Sequence, residues 1–324
     1  MADKMDVAHF QQDLADAFHW GDEERTRRLV SRFAAQPRKA RAALEEMLES
    51  PDGPVRQAAA FGLGVLGGAA SAQRLEQQLA IEEARGDHDG ESVVEVITQA
   101  LGSIEEAGAR ASLVRRLRRL ASGQPARSEV NMLACALWRK RHADLIPIIQ
   151  ETLGQMPPSV TRDLYALLRL LESSPEKLSS WVLEPTVPVE HKTDIVTILD
   201  EEVPDDLLSI IPAFISMASA LGDGAVKERG EASYYSDRVF TLLLLHRERL
   251  LPALPAESRA ELRALARRLI ASVDSRCALG ATNILKLVGR PEDAPLIETH
   301  RPAEPILARV FDEAAEALRQ LPHR

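Results

Sequence analysis

From Val55 to Leu66 the apolar positions Val55, Ala58, Ala59, Gly62, Leu63 and Leu66 fall at i, i+3, i+4, i+7, i+8 and i+11, the stripe of a helix buried along one side. Half of them are Ala or Gly, small enough to let a neighbouring helix come close. Asp52, in the turn before, is placed to accept from the free amides of the first helical turn, and Pro54 has the φ that turn needs. Gly67 and Gly68 end the helix. The pattern then returns. Val93, Val96, Ile97, Ala100, Leu101, Gly102 and Ile104 place a Leu-Gly pair 38 residues after Leu63-Gly64, and Leu137, within Val130 to Arg141, follows 36 residues later. Periods of that length suit a repeat of two helices. Near the C-terminus, Cys277 to Gly289 and then Arg290 to Ile297 supply the other half of the pattern: a helix ending in glycine, a short polar turn, a new helix. Turn-then-helix order recurs at Gly67 to Leu79, Ala107 to Leu120, Arg141 to Leu153 and Val203 to Ile215. Between 157 and 272 the signature is degenerate, and helical periodicity alone carries the reading.

The pattern predicts two leading helices near 6–19 and 23–35, followed by hairpins at 37–67, 70–104, 108–140, 142–172, 175–200, 205–249, 257–289 and 291–321, with ends good to about 2–4 residues. No strand pattern emerges: Val182 to Val189 has β-branched residues, but Pro185 and Pro188 interrupt it and make it a connector. Most of the 19 prolines fall at helix starts or turns, which favours short helices over long coiled coils. The expected fold class is all-α. Residues 1–36 form an N-terminal helical cap and 37–324 a continuous repeat array, clearest over 37–156, degenerate over 157–272, and closed by C-terminal repeats and a cap over 273–324.

The stretch Asp52 to Gly67, with its echoes, resembles the second helix of a HEAT-type α-hairpin repeat, close to the bacterial form found in phycobilisome lyases. The resemblance implies a right-handed α-solenoid of about eight HEAT-like hairpins. In that family the second helices line the concave side and leave their third, seventh and eleventh positions polar and outward. With Val55 first, those positions hold Gln57, Phe61 and Val65; the next repeat has Glu95, Gln99 and Ser103, and the late one Leu279, Asn283 and Leu287. Phe61 and Val65 are apolar where the family tolerates solvent, which makes them a contact patch unless Phe61 packs on an adjacent repeat or the leading helices. The resemblance is to the repeat and to no lyase-specific residue. Deoxyhypusine hydroxylase, a HEAT-type enzyme, binds iron through His-Glu pairs, and no His-Glu dipeptide occurs here.

Composition agrees with a solenoid built on Leu and Ala: 45% of residues are hydrophobic but only 4% aromatic. No uncharged apolar run reaches 18 residues, and Met1 to Trp20 carries four aspartates without a signal-peptide core, so a soluble, cytoplasmic protein is expected, with no membrane partner. Abundant Ala, Arg and Leu point to a bacterial source. Cys135 and Cys277 lie far apart on predicted apolar faces, which argues against a disulfide framework. A net charge of −9 disfavours general nucleic-acid binding. Locally the balance shifts. Residues 110–141 hold nine cations (Arg110, Arg115, Arg116, Arg118, Arg119, Arg127, Arg139, Lys140 and Arg141) against Glu129 alone, a net of +8, while 194–206 holds six carboxylates and no Lys or Arg. Opposite poles can dock a bipartite partner or mediate self-association.

Three further groupings bear on chemistry. Leu221 to Ser236 reads as a long loop, with Tyr234 and Tyr235 as contact anchors. Asp87-His88-Asp89 with Glu91 offers oxygen and nitrogen donors but lacks an EF-hand loop, so a charged turn capping the next helix is expected in place of a metal site. Trp138 beside Arg139, Lys140 and Arg141 imitates part of the basic, aromatic groove of HEAT-like alkylpurine glycosylases. There is no Gly-rich phosphate loop and no Gly-x-Ser-x-Gly elbow. The function expected is therefore a non-catalytic, cofactor-free scaffold or adaptor for a protein or peptide, through Gln57, Phe61, Val65, Glu95, Gln99, Arg115, Arg119, Arg139, Tyr234 and Tyr235. Alternatives are a nucleic-acid-binding or glycosylase-like protein using 110–141, and a bacterial immunity or antitoxin protein.

Overall fold

A computed structural model of the chain describes residues 6–33 and 36–321. The first residues of the expected cap, its end at 34–35, and His323 lie outside them. The described residues form 19 α-helices and three short 3-10 turns, with no strand among them. The fold is all-α. By contacts the chain divides into two compact units, Met1–Tyr165 and Ala166–Arg324.

In unit 1, α1 (Val7–His19) and α2 (Glu23–Phe33) precede the pairs α3 (Pro37–Leu48) with α4 (Gly53–Leu66), α5 (Gly68–Arg85) with α6 (His88–Ser103), and α7 (Ala107–Ala121) with α8 (Arg127–Arg139), followed by α9 (Leu145–Leu153). Alternate helices stack: α4 on α6 on α8 in one layer, and α3, α5, α7 and α9 in the other. The repeat-marking leucines Leu63, Leu101 and Leu137 are fully buried between the layers, with Leu44, Leu79, Ile97, Leu117 and Leu133. Small residues set the spacing of the layer formed by the second helices of the pairs, α4, α6 and α8, called the second layer below. A Cβ on Gly64 would lie 2.7 Å from the Ala100 Cβ, and one on Gly102 3.1 Å from the Ala136 Cα, so both glycines mark helix contact at backbone range. At the end of α4 the chain turns through Gly67 and Gly68 with φ of +67° and +82°, a region that L side chains avoid. Asp52 stands at the N-cap of α4, but its side chain accepts no capping bond, contrary to expectation.

The one charge between Gly53 and Gln73 is buried. Arg56, in α4, forms a two-pronged pair with Glu82 of α5 (Nε to Oε1 2.9 Å, Nη2 to Oε2 3.2 Å) and donates to the carbonyls of Ser50 (3.0 Å) and Pro51 (2.9 Å). Gln78 donates to the same carboxylate at 2.6 Å, and Arg85 reaches it at 3.1 Å from the surface. Arg56 and Glu82 are 1% and 0% exposed, so every ligand of the pair is supplied by the protein.

Helix α10 (Arg162–Glu172) crosses the division. Unit 2 continues with α11 (Pro175–Leu183), α12 (Val189–Leu199), α13 (Ile211–Lys227), α14 (Glu231–Leu245), α15 (Arg247–Ala253), α16 (Ala256–Leu269), α17 (Ser275–Val288), α18 (Ala294–Thr299) and α19 (Pro305–Arg319). Its stacking is again in two rows, α11, α13 and α16 in one and α12, α14, α17 and α19 in the other. The segment Asp205–Lys227 is long and apolar enough to cross a membrane by composition, and half of it is buried. Helix α13 within that segment packs against α11, α14 and α16. Among the buried carboxylates of unit 2, Asp293 is fully enclosed and held by Arg263 (2.7 and 2.9 Å), by Arg267, and by the backbone N–H of Arg290 (2.9 Å). Burial alone would raise its pKa, but the Arg263 hydrogen bonds and the other donors outweigh this and hold the carboxyl below its usual range.

Candidate functional site

The buried stripe of each second-layer helix in unit 1 decides what remains outside. On α4 it leaves Gln57, Phe61 and Val65 half-buried; on α6 it leaves Glu95, Gln99 and Ser103 exposed. The same offsets on α8 give Asn131, half-buried and donating to Asp163 Oδ1 at 3.0 Å, Cys135, buried, and Arg139, exposed. Phe61 is engaged by the leading helices. Its ring lies 5.6 Å from that of Phe18, and the Arg27 guanidinium sits 5.1 Å above it. An apolar residue at this position therefore has an intramolecular reason, and the solvent-facing part of the row is centred on Glu95 and Gln99.

The basic segment is largely answered by carboxylates from other elements. Arg115 pairs with Glu76, Arg119 with Glu83 (3.0 Å), Arg110 with Asp144 (3.1 Å) and Arg127 with Asp163 (3.7 Å). Arg116 is buried, contacts the Thr98 hydroxyl, and lies 3.3 Å from Glu83 and 3.7 Å from Glu129; burial lowers its pKa against the pull of both acids. Arg115 and Arg119 thus stand on the α5/α7 layer, apart from the Glu95 and Gln99 face. Trp138 is 2% exposed, a core residue whose ring carries the Arg141 guanidinium at 5.1 Å, and it offers no platform for a base. The acidic window is partly answered too, by Arg238 on Asp200 and Arg249 on Asp205.

The expected loop Leu221 to Ser236 is helical except for Glu228 to Gly230: α13 runs on through Gly222 and Gly224, and α14 begins at Glu231. Gly222 is where the Arg268 side chain crosses α13, so this glycine serves close approach within a helix. Tyr235 is fully buried, its phenol pushed above the ordinary range by desolvation, and cannot anchor a partner. Tyr234 is exposed. Asp87 caps α6, accepting from the Gly90 N–H at 2.7 Å, as expected for that acidic turn. Among the described residues no group of three or more His, Cys, Asp or Glu is arranged to hold a metal ion. Both cysteines are buried and neither is in a disulfide, and burial pushes the Cys277 thiol up to about 12, which leaves little thiolate for nucleophilic work.

Sequence reasoning missed Arg56 with Glu82, and the pairing of Arg229 with Arg276 around one cleft. The first had a signal, a lone charge in an apolar run. The second joins residues 47 apart that share no motif.

No family model matches this sequence, and no curated protein does. Among solved structures, a crystal structure described as an engineered protein aligns over 95% of this chain and 88% of its own, at 14% identity and a TM-score of 0.32. A score that low carries no argument about fold or function.

Proposed function

We propose that the chain is a HEAT-like, right-handed α-solenoid acting as a non-catalytic scaffold or adaptor in a bacterial cytoplasm, holding a protein or peptide along its second-layer helices. The observation that supports this most is the repeated register of α4 and α6, which brings matched positions out of the core at the same interval as the buried leucines Leu63 and Leu101. Stacked hairpins of this kind offer an extended surface built by packing, with specificity supplied by the residues that the packing leaves free. Glu95 and Gln99 are those residues on α6. The arginines of 110–141 work mainly as ties to neighbouring carboxylates, so no specific observation favours a nucleic-acid reading.

A photo-crosslinking amino acid at Gln99, with one at Arg118 on α7 as control, tests this in the native cell. The expected result is a protein adduct from position 99 at far higher yield than from 118. Equal yields, or adducts to nucleic acid alone, would overturn the proposal.

A further inference from the structure

A cleft of about 380 Å³ opens in unit 2 where α14 and α17 begin, lined by Arg229, Gly230, Tyr234, Asp274, Ser275 and Arg276. That volume falls near the lower end of cavities that take small organic groups, about 300–1,000 Å³. Two guanidiniums contribute to it. Arg229 spends its Nε–H on the Val273 carbonyl at 3.2 Å. Arg276 lies 6.0 Å from the centre of the Tyr234 ring with its side chain 67% exposed.

The carboxylate in the wall is already occupied. Asp274 caps α17, accepting from the Arg276 backbone N–H at 3.0 Å and the Ser233 hydroxyl at 3.4 Å; its side chain is 9% exposed, and the Arg276 Nε stands 3.8 Å from its Oδ1, a long ion pair that leaves the rest of the guanidinium open. Asp237, half-buried on α14, is the other acid near Arg276; desolvation raises its pKa, opposed by Arg276 and reinforced by Asp274. Neither acid is positioned to satisfy both arginines.

Apolar surface continues from this point. Tyr234 and Val273 are exposed beside the cleft. The Arg276 contact with Tyr234 and the packing of Gly280 on Phe240 fix the register of α14 against α17. Eleven residues on from Tyr234 and from Arg276, three turns along each helix, Leu245 and Leu287 are also exposed. Single exposed apolar residues are ordinary; Tyr234 and Val273 beside a pair of guanidiniums make a recognition surface with a sign.

The geometry points to an acidic peptide as the occupant: an Asp or Glu carboxylate taken between Arg229 and Arg276, the next large apolar side chain on the Tyr234 ring, and the chain running on toward Leu287. Charge complementarity selects this occupant, since two guanidinium forks match planar carboxylate oxygens. This gives the partner's chemistry for the protein-binding reading and rests on it.

The test is an array of octapeptides mixing Glu or Asp with Leu, Ile, Tyr and Ser, each accompanied by a twin carrying Gln or Asn in place of the acids, probed with the full chain. Acidic members should bind about tenfold better than their amide twins. A variant carrying Arg229→Ala and Arg276→Ala should lose that preference, and Tyr234→Ala should weaken both members of a pair alike; helical circular dichroism verifies that these surface variants fold. Equal binding of the twins, a preference surviving in the double variant, or binding of no member would overturn the inference. Failure of the array with protein crosslinking from position 99 intact removes the cleft alone; failure of both removes the scaffold reading as well.

Discussion

Replacing Arg56 by Ala removes four hydrogen bonds from the interior of unit 1: two to Glu82 and one each to the Ser50 and Pro51 carbonyls. Breaking one side of a buried pair costs about 3–5 kcal/mol, because the other charge is left without its partner. Here Glu82 keeps Gln78 and the part-exposed Arg85, so the lower end applies, about 3 kcal/mol. For a unit of some 165 residues that corresponds to a fall in Tm of about 6–12 °C. Arg56→Met combined with Glu82→Leu removes both charges and should cost less than the two single changes added, the remaining cost being the two stranded carbonyls and Gln78 at about 1 kcal/mol or more each. Hydrogen exchange of peptides from α4 and α5 reads this within unit 1 without assuming that both units unfold together. A loss below about 1 kcal/mol for Arg56→Ala, or a double variant as unstable as the two single changes added, would refute the reasoning.

Other outcomes follow from the same geometry. Gly64→Val should destabilise by about 1–3 kcal/mol by forcing α4 from α6, whereas Gly108→Ala on α7, with open space around it, should stabilise by about 0.4–1 kcal/mol; thermal melts that rank these the other way reject the spacing argument. Tyr235→Phe removes a buried hydroxyl that has no hydrogen-bond partner among the described residues and should raise Tm, and a clear fall would reveal a partner for it. Phe61→Ala should loosen α1 and α2, costing roughly half the core value, about 2 kcal/mol, seen as faster exchange in the leading helices; unchanged exchange there contradicts the packing of Phe61 on Phe18. The Asp293 carboxyl is depressed in the folded state, so its contribution is fully present above the ordinary carboxylate range and disappears as pH falls through the folded pKa. The Tm gap between the parent and Asp293→Asn should therefore be wide at neutral pH and close in acid; a gap independent of pH would count against the Arg263 network.

Helices were legible wherever periodicity and punctuation agreed. Gly67-Gly68 and the prolines before α3, α4 and α11 are local signals, and the chain obeys them locally. The stretch after Leu221 misled because its three glycines looked like loop chemistry. Gly222 instead admits the Arg268 side chain, a residue far along the chain, and no local pattern announces that. The charge of 110–141 misled in a similar way: composition counts Arg115 and Arg119 but not Glu76 and Glu83, which stand opposite them only once α5 and α7 are stacked. Tyr234 and Tyr235 are neighbours in sequence, yet a helix turns successive side chains by about 100°, and one faces solvent while the other fills the core.

The two layers of unit 1 are spaced by different materials. Along α4, α6 and α8 the separators are single methyl groups and missing ones, at Gly64 against Ala100 and Gly102 against Ala136. Along α5 and α7 they are whole ion pairs, long side chains meeting at half-exposed positions. In mechanical terms unit 1 is a bonded strip of two laminae, one clamped and one laced. Salt slackens only the lacing. High salt should therefore loosen the α5/α7 contact while the α4/α6 spacing, set by the helix that bears Glu95 and Gln99, holds.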